Sequence, residues 1–599
     1  MLTRTRFFIS LPYPTQITAE KMRSYWVLIL GMVWVLGGCR PQDNFSQLPL
    51  RKAPRGDAYY GGFFRYNETE VFRNLFPLSI TEVTSHRIGA QIYEGLVKFD
   101  QATLRVVPAL AERWSVDSQG RLFTFHLRRG VYFHPDPCFN GPPRQVTAYD
   151  FKWCLDRLCT PDVLNKGFWI FKDRVRGATL YYESLARGDS VMTGGVPGIR
   201  VLDSFTLQIE LEQPFAGFLN VLGTPFATVY PREAFERYGA RMRIHTVGTG
   251  PFILDTVIED QVVILRRNPN YWRTDSLGNP LPYLDGIMIS FVSDQKMEFL
   301  EFTRGKLDMI YRMPMEFRKY VFERPNVLSK PYRQFIYQST PQLATSYYGF
   351  LHAKPPFDDI RVRQAFNYAI DRDKLVRFTL KGQAYPASYG FVPPAFATYP
   401  ATSIEGYSYS PEKANELMKA AGYPQGKGFP PLTLQLNSGG AQNILIAEAI
   451  QKMLEDNLHV RVSLNIVPFA AHLEAVETGK VLFWRAGWIA DYPDPENFLN
   501  LFYGRHVPEQ LSQHSYLNTF RYRSSKFDSL FESALRTSNE SLRMQRYAQA
   551  DQQAINDAVC LFLYYYKSDR LLQPYVRNFP INGMEYRDFT AVYLVPSTP

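Results

Sequence analysis

Cysteine is scarce in this chain, five residues in 599. No Cys-x-x-Cys pair occurs and the histidines stand isolated, which argues against a structural zinc site; no metal site or cofactor is expected. The sequence also lacks Gly-x-Ser-x-Gly, His-Glu-x-x-His and a phosphate-binding glycine loop, the marks of a serine hydrolase, a zinc protease and a nucleotide-driven enzyme. Runs of five like charges are missing too. The formal charge of +10 comes from Lys and Arg interspersed with Asp and Glu. That is a solvated surface, and no nucleic-acid partner is expected. The uncharged stretch at 25–38 holds 14 residues, short of the roughly 20 that a bilayer-spanning helix needs.

That stretch fits the apolar core of an export signal. Lys21 and Arg23 precede it, and small residues close it at Leu36-Gly37-Gly38-Cys39. The close resembles a bacterial lipobox. The resemblance implies a signal peptide over 1–38, with Met22 the more natural start, and a lipid on Cys39 as the first mature residue. Residues 39–57 then read as a lipidated tether to the membrane. Beyond it remain Cys138, Cys154, Cys159 and Cys560. Export permits disulfides. Cys154 and Cys159 lie five apart on one expected helix and face different ways. Cys138 paired with one of them, or buried free thiols throughout, are both open.

What is plentiful is aromatic surface, 38 Tyr and 44 Phe. At this length one core does not suffice, so two or three lobes are expected. The chain changes character near residues 338–348. Upstream, Leu122-Phe-Thr-Phe-His-Leu127, Thr206-Leu-Gln-Ile-Glu-Leu211 and Val262-Val-Ile-Leu265 are short strands among turns and prolines. Downstream, helices are signalled by Asp358 or Asp359 ahead of Val362, Phe366, Ala369 and Ile370, and by Ser410-Pro411 opening and Gly422 closing a second apolar face. From Leu432 the pattern becomes architectural. Alternation at Leu432–Leu436, helical spacing at Ile446, Ala449, Ile450, Met453 and Leu454, alternation again at Val460–Ile466, a helix at 470–477 and a strand at 481–485 spell β-α-β-α-β. The fold class is therefore α/β, with parallel strands and right-handed crossovers. Ligands of such sheets bind beyond the carboxyl ends of the strands. The last forty residues, Leu561–Tyr566 included, read as strands that return to the first half.

Just past the third strand lies Phe483-Trp-Arg-Ala-Gly-Trp-Ile-Ala-Asp-Tyr-Pro-Asp-Pro-Glu-Asn-Phe498. It sets one cation, Arg485, six residues before one anion, Asp491, with a Gly-Trp turn expected between them. A short peptide is a zwitterion, and a site for both its ends needs a fixed guanidinium and a fixed carboxylate. A tripeptide's termini lie roughly 10 Å apart, which such a turn could span. Prolines 493 and 495 stiffen the loop. Asp494 and Glu496 read as caps of the next helix. Tyr347 and Tyr348, beside the expected hinge, are further candidates for ligand contact.

A series of landmarks in order carries a family resemblance. They include Ile92-Tyr-Glu-Gly-Leu-Val-Lys98, Val107-Pro-Ala-Leu-Ala-Glu-Arg-Trp114, Phe123-Thr-Phe-His-Leu-Arg-Arg-Gly-Val-Tyr-Phe133, Val247-Gly-Thr-Gly-Pro-Phe252, Arg267-Asn-Pro-Asn-Tyr-Trp272 and Gly487-Trp-Ile-Ala-Asp-Tyr-Pro-Asp-Pro495. On these the chain resembles the extracytoplasmic solute-binding proteins of peptide ABC transporters, the dipeptide and oligopeptide type of family 5, in lipoprotein form. The resemblance implies a two-lobed periplasmic-binding-protein fold, type II-like, with a small subdomain inserted in the first lobe. The corresponding division is 58–98, 200–337 and 562–599 for lobe I, 99–199 for the subdomain and 338–561 for lobe II. It implies a monomer that takes oligopeptides in the cell envelope and passes them to ABC permease subunits, with no catalysis. Asp491 matches the aspartate that pairs with a peptide's α-ammonium, Arg485 an arginine offered to its carboxylate, and Trp488 an aromatic wall. The stretch Asp136-Pro-Cys-Phe-Asn-Gly-Pro-Pro-Arg144 departs from the usual shorter loop. Rival readings are the same fold with a metal chelate, haem or oligosaccharide as cargo, a ligand-sensing lipoprotein, and, least, a hydrolase using Asp491 with Asp494 or Glu496.

Overall fold

A computed structural model describes residues 49–596 apart from 190–193, 312, 325, 397 and 439–440. The expected signal segment, Cys39 and most of the tether lie outside the described residues. Among those described, no helix is long and apolar enough to cross a membrane.

Two four-stranded sheets dominate the first half. In one, Phe63–Glu68 runs parallel to Gly286–Phe291, which pairs antiparallel with Val262–Arg267 and through it with Phe252–Ile258. The other is an antiparallel meander of Ala111–Val116, Leu122–Leu127, Thr206–Glu210 and Ile199–Asp203. This second sheet continues through residue 210, past the limit at 199 expected for a small subdomain. The unusual loop before it is tied down locally. Asp136 accepts from the Cys138 backbone N–H at 2.8 Å, and Arg144 pairs with Asp150 at 2.7 Å and with Glu233 at 2.6 Å.

The second half is built on one mixed seven-stranded sheet. Its parallel part has Leu432–Asn437 between Val462–Val467 and Phe483–Ile489. The helices Ala441–Leu458 and Phe469–Glu477 make the connections. The longer helix forms because Ile446, Ile450, Leu454 and Leu458 recur on one face and are all buried. Asp359 caps its helix by accepting from the Arg361 N–H at 2.8 Å, and Ser410 caps the helix that Pro411 opens. Thus the β-α-β-α-β reading is observed.

The strand Cys560–Leu572 differs from expectation. It lies inside the seven-stranded sheet, against Ile336–Phe350 for most of its length, and reaches Met309–Ile310 at its far end. Residues 560–565 are buried without alternation, the mark of a strand covered on both faces. Only after Leu572 does the chain return to the first core, where Val576, Phe579, Phe589 and Val592 pack with residues of 64–311. All four described cysteines are buried free thiols, which settles the disulfide alternative.

A buried ionic cluster fastens this return. Glu68 accepts from Arg87 Nη1 at 3.0 Å, from Arg587 Nη1 at 2.8 Å and from the Tyr311 hydroxyl at 2.5 Å. It joins a strand, the helix Val83–Ile92 and the C-terminal segment in one contact. Removing one partner of such a pair strands the other charge in low dielectric, at a cost of about 3–5 kcal/mol. Arg587→Ala should therefore lower stability by about that amount in denaturant melts; a loss below roughly 1 kcal/mol would show that the cluster does not hold the C-terminal segment.

Candidate functional site

The strand Phe483–Ile489 ends where Ala490 donates its backbone N–H to Leu343 at 2.9 Å. The chain then turns through Asp491 and two prolines into the short helix Glu496–Leu499. One side chain organises the turn. Asn497 Oδ1 accepts from Trp488 Nε1 at 2.9 Å and from the Asp491 N–H at 3.1 Å, while its Nδ2 donates to Asp491 Oδ2 at 3.2 Å. Asp491 and Trp488 are thus oriented by a common clamp.

The Asp491 carboxylate opens onto a cavity of about 1010 Å³, the upper end of the usual range for ligand pockets. It is exposed to that space while protein surrounds it on most sides. Desolvation raises its pKa above the ordinary aspartate value, and the Asn497 hydrogen bond opposes the shift. Among the described residues no cation pairs with it. The opposite wall comes from the first half and includes Val83, Trp169, Phe215 and Phe226. Tyr516, on a loop of the second half, completes the surroundings of the carboxylate. Burial, with Asp491 and then Glu477 adding charge, pushes its hydroxyl up to about 12.

Next to Asp491, the two other acids of the loop are committed. Asp494 Oδ1 caps the helix through the Glu496 N–H at 3.0 Å, as expected, but its Oδ2 also accepts from Arg543 at 2.5 Å and from Asn220 Nδ2 at 3.2 Å. Glu496 pairs with Arg174 at 3.2 Å and accepts from the Tyr492 hydroxyl. Burial, chiefly, raises the Glu496 pKa; Arg174 and Tyr492 lower it, and Asp494 and Asp491 raise it further. The Tyr492 ring is inserted in the first-half core and stacks on Trp169 with centroids 6.5 Å apart. Committed to structural ion pairs, Asp494 and Glu496 do not form an acid–base couple with Asp491.

The structure therefore gathers Asp491 and Trp488 at the cavity but not the other three residues marked from sequence. No turn separates Arg485 from Asp491. Gly487 and Trp488 are strand residues, laddered to Ser346 and Thr345, so the backbones of 485 and 491 stand up to about 20 Å apart. Arg485 lies away from the cavity lining, half-buried, and donates to Asn437 Oδ1 at 3.1 Å and to the Tyr566 hydroxyl at 3.4 Å. It has no carboxylate partner among the described residues. Tyr347 and Tyr348 are buried in core rather than on the wall, because successive residues of the strand Ile336–Phe350 point to opposite, covered faces. Tyr347 packs on Phe391 and Phe520, and Tyr348 on Phe483. Conversely, Asn497, Tyr516 and Trp169 escaped the sequence reading. Asn497, six residues beyond Asp491, was the one with a local signal.

Known proteins resemble this chain along most of its length. Residues 105–507 match the family model for bacterial extracellular solute-binding proteins, family 5. The periplasmic oligopeptide-binding protein OppA of Salmonella typhimurium is 30% identical over 527 residues, 86% of this chain and 88% of that protein. Heme-binding protein A of Haemophilus influenzae is 28% identical over 570 residues, 93% of this chain and 96% of that one. The structure of the periplasmic binding protein DppA from Helicobacter pylori in complex with the peptide STSA superposes with a TM-score of 0.71 at 25% identity, covering 89% of this chain and 98% of that one.

An aspartate whose folded pKa is raised is penalised while ionised, and the penalty fades as pH falls through that raised value. Asp491→Asn should accordingly raise the thermal midpoint of the ligand-free protein at pH 7, with the gain shrinking on acidification. A midpoint lowered at pH 7 would mean that the carboxylate is already compensated.

Proposed function

The chain belongs to the bacterial extracellular solute-binding proteins of family 5, binding proteins rather than enzymes, and from that membership we propose that it captures oligopeptides between two lobes and hands them to an ABC permease. The fold is the mixed α/β periplasmic-binding-protein fold. One observation carries the choice of cargo: a desolvated, well-oriented carboxylate at Asp491 that pairs with no cation among the described residues. A peptide's α-ammonium supplies it as a charge-assisted contact. Arg485, without a carboxylate partner among the described residues but off the cavity lining, is this reading's candidate for the peptide carboxylate only of a ligand that extends beyond the cavity. The lobe division stated above is retained in this reading with its C-terminal boundary moved, since Cys560–Leu572 belongs to the large sheet. The Leu36-Gly37-Gly38-Cys39 pattern supports lipidation at Cys39 and hence a membrane-anchored form outside the cytoplasm.

A second reading keeps the fold and exchanges the cargo. Likeness to a haem-binding protein and three histidines at the cavity, His86, His506 and His514, favour haem among the non-peptide solutes. Burial, with neighbouring arginines adding to it, holds His86 and His506 down to about 4, so both are neutral at physiological pH. Titration of the soluble 40–599 fragment with haem, followed in the visible spectrum, separates the readings: a saturable shift at micromolar haem without peptide competition supports haem.

Calorimetric titration tests the peptide reading. Removing one partner of a buried charged pair costs roughly 2–5 kcal/mol, so Asp491→Ala should weaken a free-amine peptide by roughly 30-fold or more. N-acetylation of the peptide should weaken wild type similarly and add little to the mutant. Equal affinity of wild type for both peptide forms contradicts the pairing. Acidification should weaken binding of free-amine peptide from a pH above the ordinary aspartate range, because protonated Asp491 no longer attracts ammonium. For the other end, Arg485→Ala should erase a preference for free-carboxylate over C-amidated peptide; an unchanged ratio removes Arg485 from the site.

A further inference from the structure

The cavity gathers apolar surface that no other described part of the protein covers. Val83, Trp169, Ile489 and Tyr516 all line it while 46%, 38%, 62% and 67% exposed. Apolar side chains left open together in a concave site mark a place that a ligand dries. Their placement is not random with respect to charge. Ile489 is the last residue of the strand that delivers Asp491, two positions before it. Trp488 shares the Asn497 clamp with that carboxylate. Trp169 lies on Tyr492, the next residue, with the planes inclined by 19°. Tyr516 is close enough to Asp491 and Glu477 for both to act on its hydroxyl. The one unpaired anion of the loop is therefore bordered by aromatic and aliphatic surface, while the wider cavity also carries cations such as Lys166, Lys172 and Arg505.

Resting on the peptide reading, we propose that this wall is a selective subsite for a large apolar or aromatic first residue of the peptide, the one that carries the ammonium. The geometry joins an amine anchor to a dry pocket beside it, where an acidic first residue would set its carboxylate on apolar surface next to the Asp491 carboxylate. A small first residue leaves Tyr516 and Ile489 in contact with water. Burying a Phe or Leu side chain in such a pocket corresponds to roughly tenfold to hundredfold in affinity.

The test is calorimetric titration of the wild-type 40–599 fragment with the tripeptides Phe-Ala-Ala, Leu-Ala-Ala, Gly-Ala-Ala and Asp-Ala-Ala, with N-acetyl-Phe-Ala-Ala as a control. Phe-Ala-Ala and Leu-Ala-Ala should bind at least about tenfold more tightly than Gly-Ala-Ala, and Asp-Ala-Ala more weakly than all three. Tyr516→Ala, at an exposed position, should reduce the Phe-to-Gly preference by at least about threefold, with Ile489→Ala as an independent second variant. Phe, Leu and Gly peptides binding within twofold of each other would overturn the subsite, as would a preference that survives both substitutions. A failure of the underlying reading looks different: the acetylated control would then bind as well as free Phe-Ala-Ala.

Discussion

An uncompensated carboxylate is the constraint around which the rest is arranged. Asp491, Asp494 and Glu496 crowd three negative charges into one proline-stiffened loop, and two guanidiniums, Arg543 and Arg174, answer two of them. Asp491 is the remainder. Its charge is felt by its neighbours, since it helps to raise the Glu496 pKa. Bringing a cation to Asp491 would relieve that repulsion and strengthen the hold of Glu496 on Arg174. Arg174 and Asn220 come from the first half of the chain, whereas Asp494 and Glu496 come from the second. The loop that presents a charge to the cavity is thus also the loop that ties the two halves together, and the two roles are linked by ordinary electrostatics.

Where the chain repeats a pattern, sequence alone locates the structure. The parallel strands after Leu432 were legible because alternation and helical spacing each impose a face, and a face imposes burial. The position of Asp491 at the cavity was legible for a related reason: it follows a strand of a parallel sheet at its carboxyl end, where side chains and turns surround a crevice. The failures have physical causes as well. Gly487-Trp488 looks like a turn in isolation, but pairing with Ser346 and Thr345 keeps it extended, since tertiary hydrogen bonds outweigh local preference. Tyr347 and Tyr348 are aromatic and central, which suits a wall and a core equally, and only the sheet packing on both faces decides. Trp169 and Tyr516 meet Asp491 from segments hundreds and tens of residues away respectively, and no local pattern encodes such a meeting.

The C-terminal strand shows the same division. Its apolar run was readable as a strand, but partner choice is a property of the assembled sheet. Cys560–Leu572 is wedged between Ile336–Phe350 and Met309–Ile310, and the chain then crosses to the first core, where Arg587 meets Glu68. Two long strands and one buried ion cluster therefore carry the chain between its halves. Arg87 and Arg587 of that cluster also border the cavity, so the wall opposite the Asp491 loop is fixed by the same interactions that anchor the C-terminus.

Tyr492 sets the scale of what a ligand must supply. Its ring belongs to the first-half core, is 1% exposed and stacks on Trp169, yet its backbone belongs to the Asp491 loop. Separating the two halves to admit cargo would draw this ring out, at roughly 1.5–3 kcal/mol for the lost burial, and would break the Arg174–Glu496 pair beside it. A ligand shifts such an equilibrium only by contacts it makes better with the closed form than with the open one. In the peptide reading an ammonium on Asp491 would be such a contact, because it would answer the repulsion that otherwise opposes the ionised Glu496. An apolar group against Trp169 is another, since Trp169 faces Tyr492 only when the ring is seated. Charge and hydrophobic burial would then act through one residue pair, Asp491 and Tyr492, adjacent in sequence, the first opening onto the cavity and the second seated in the opposite core.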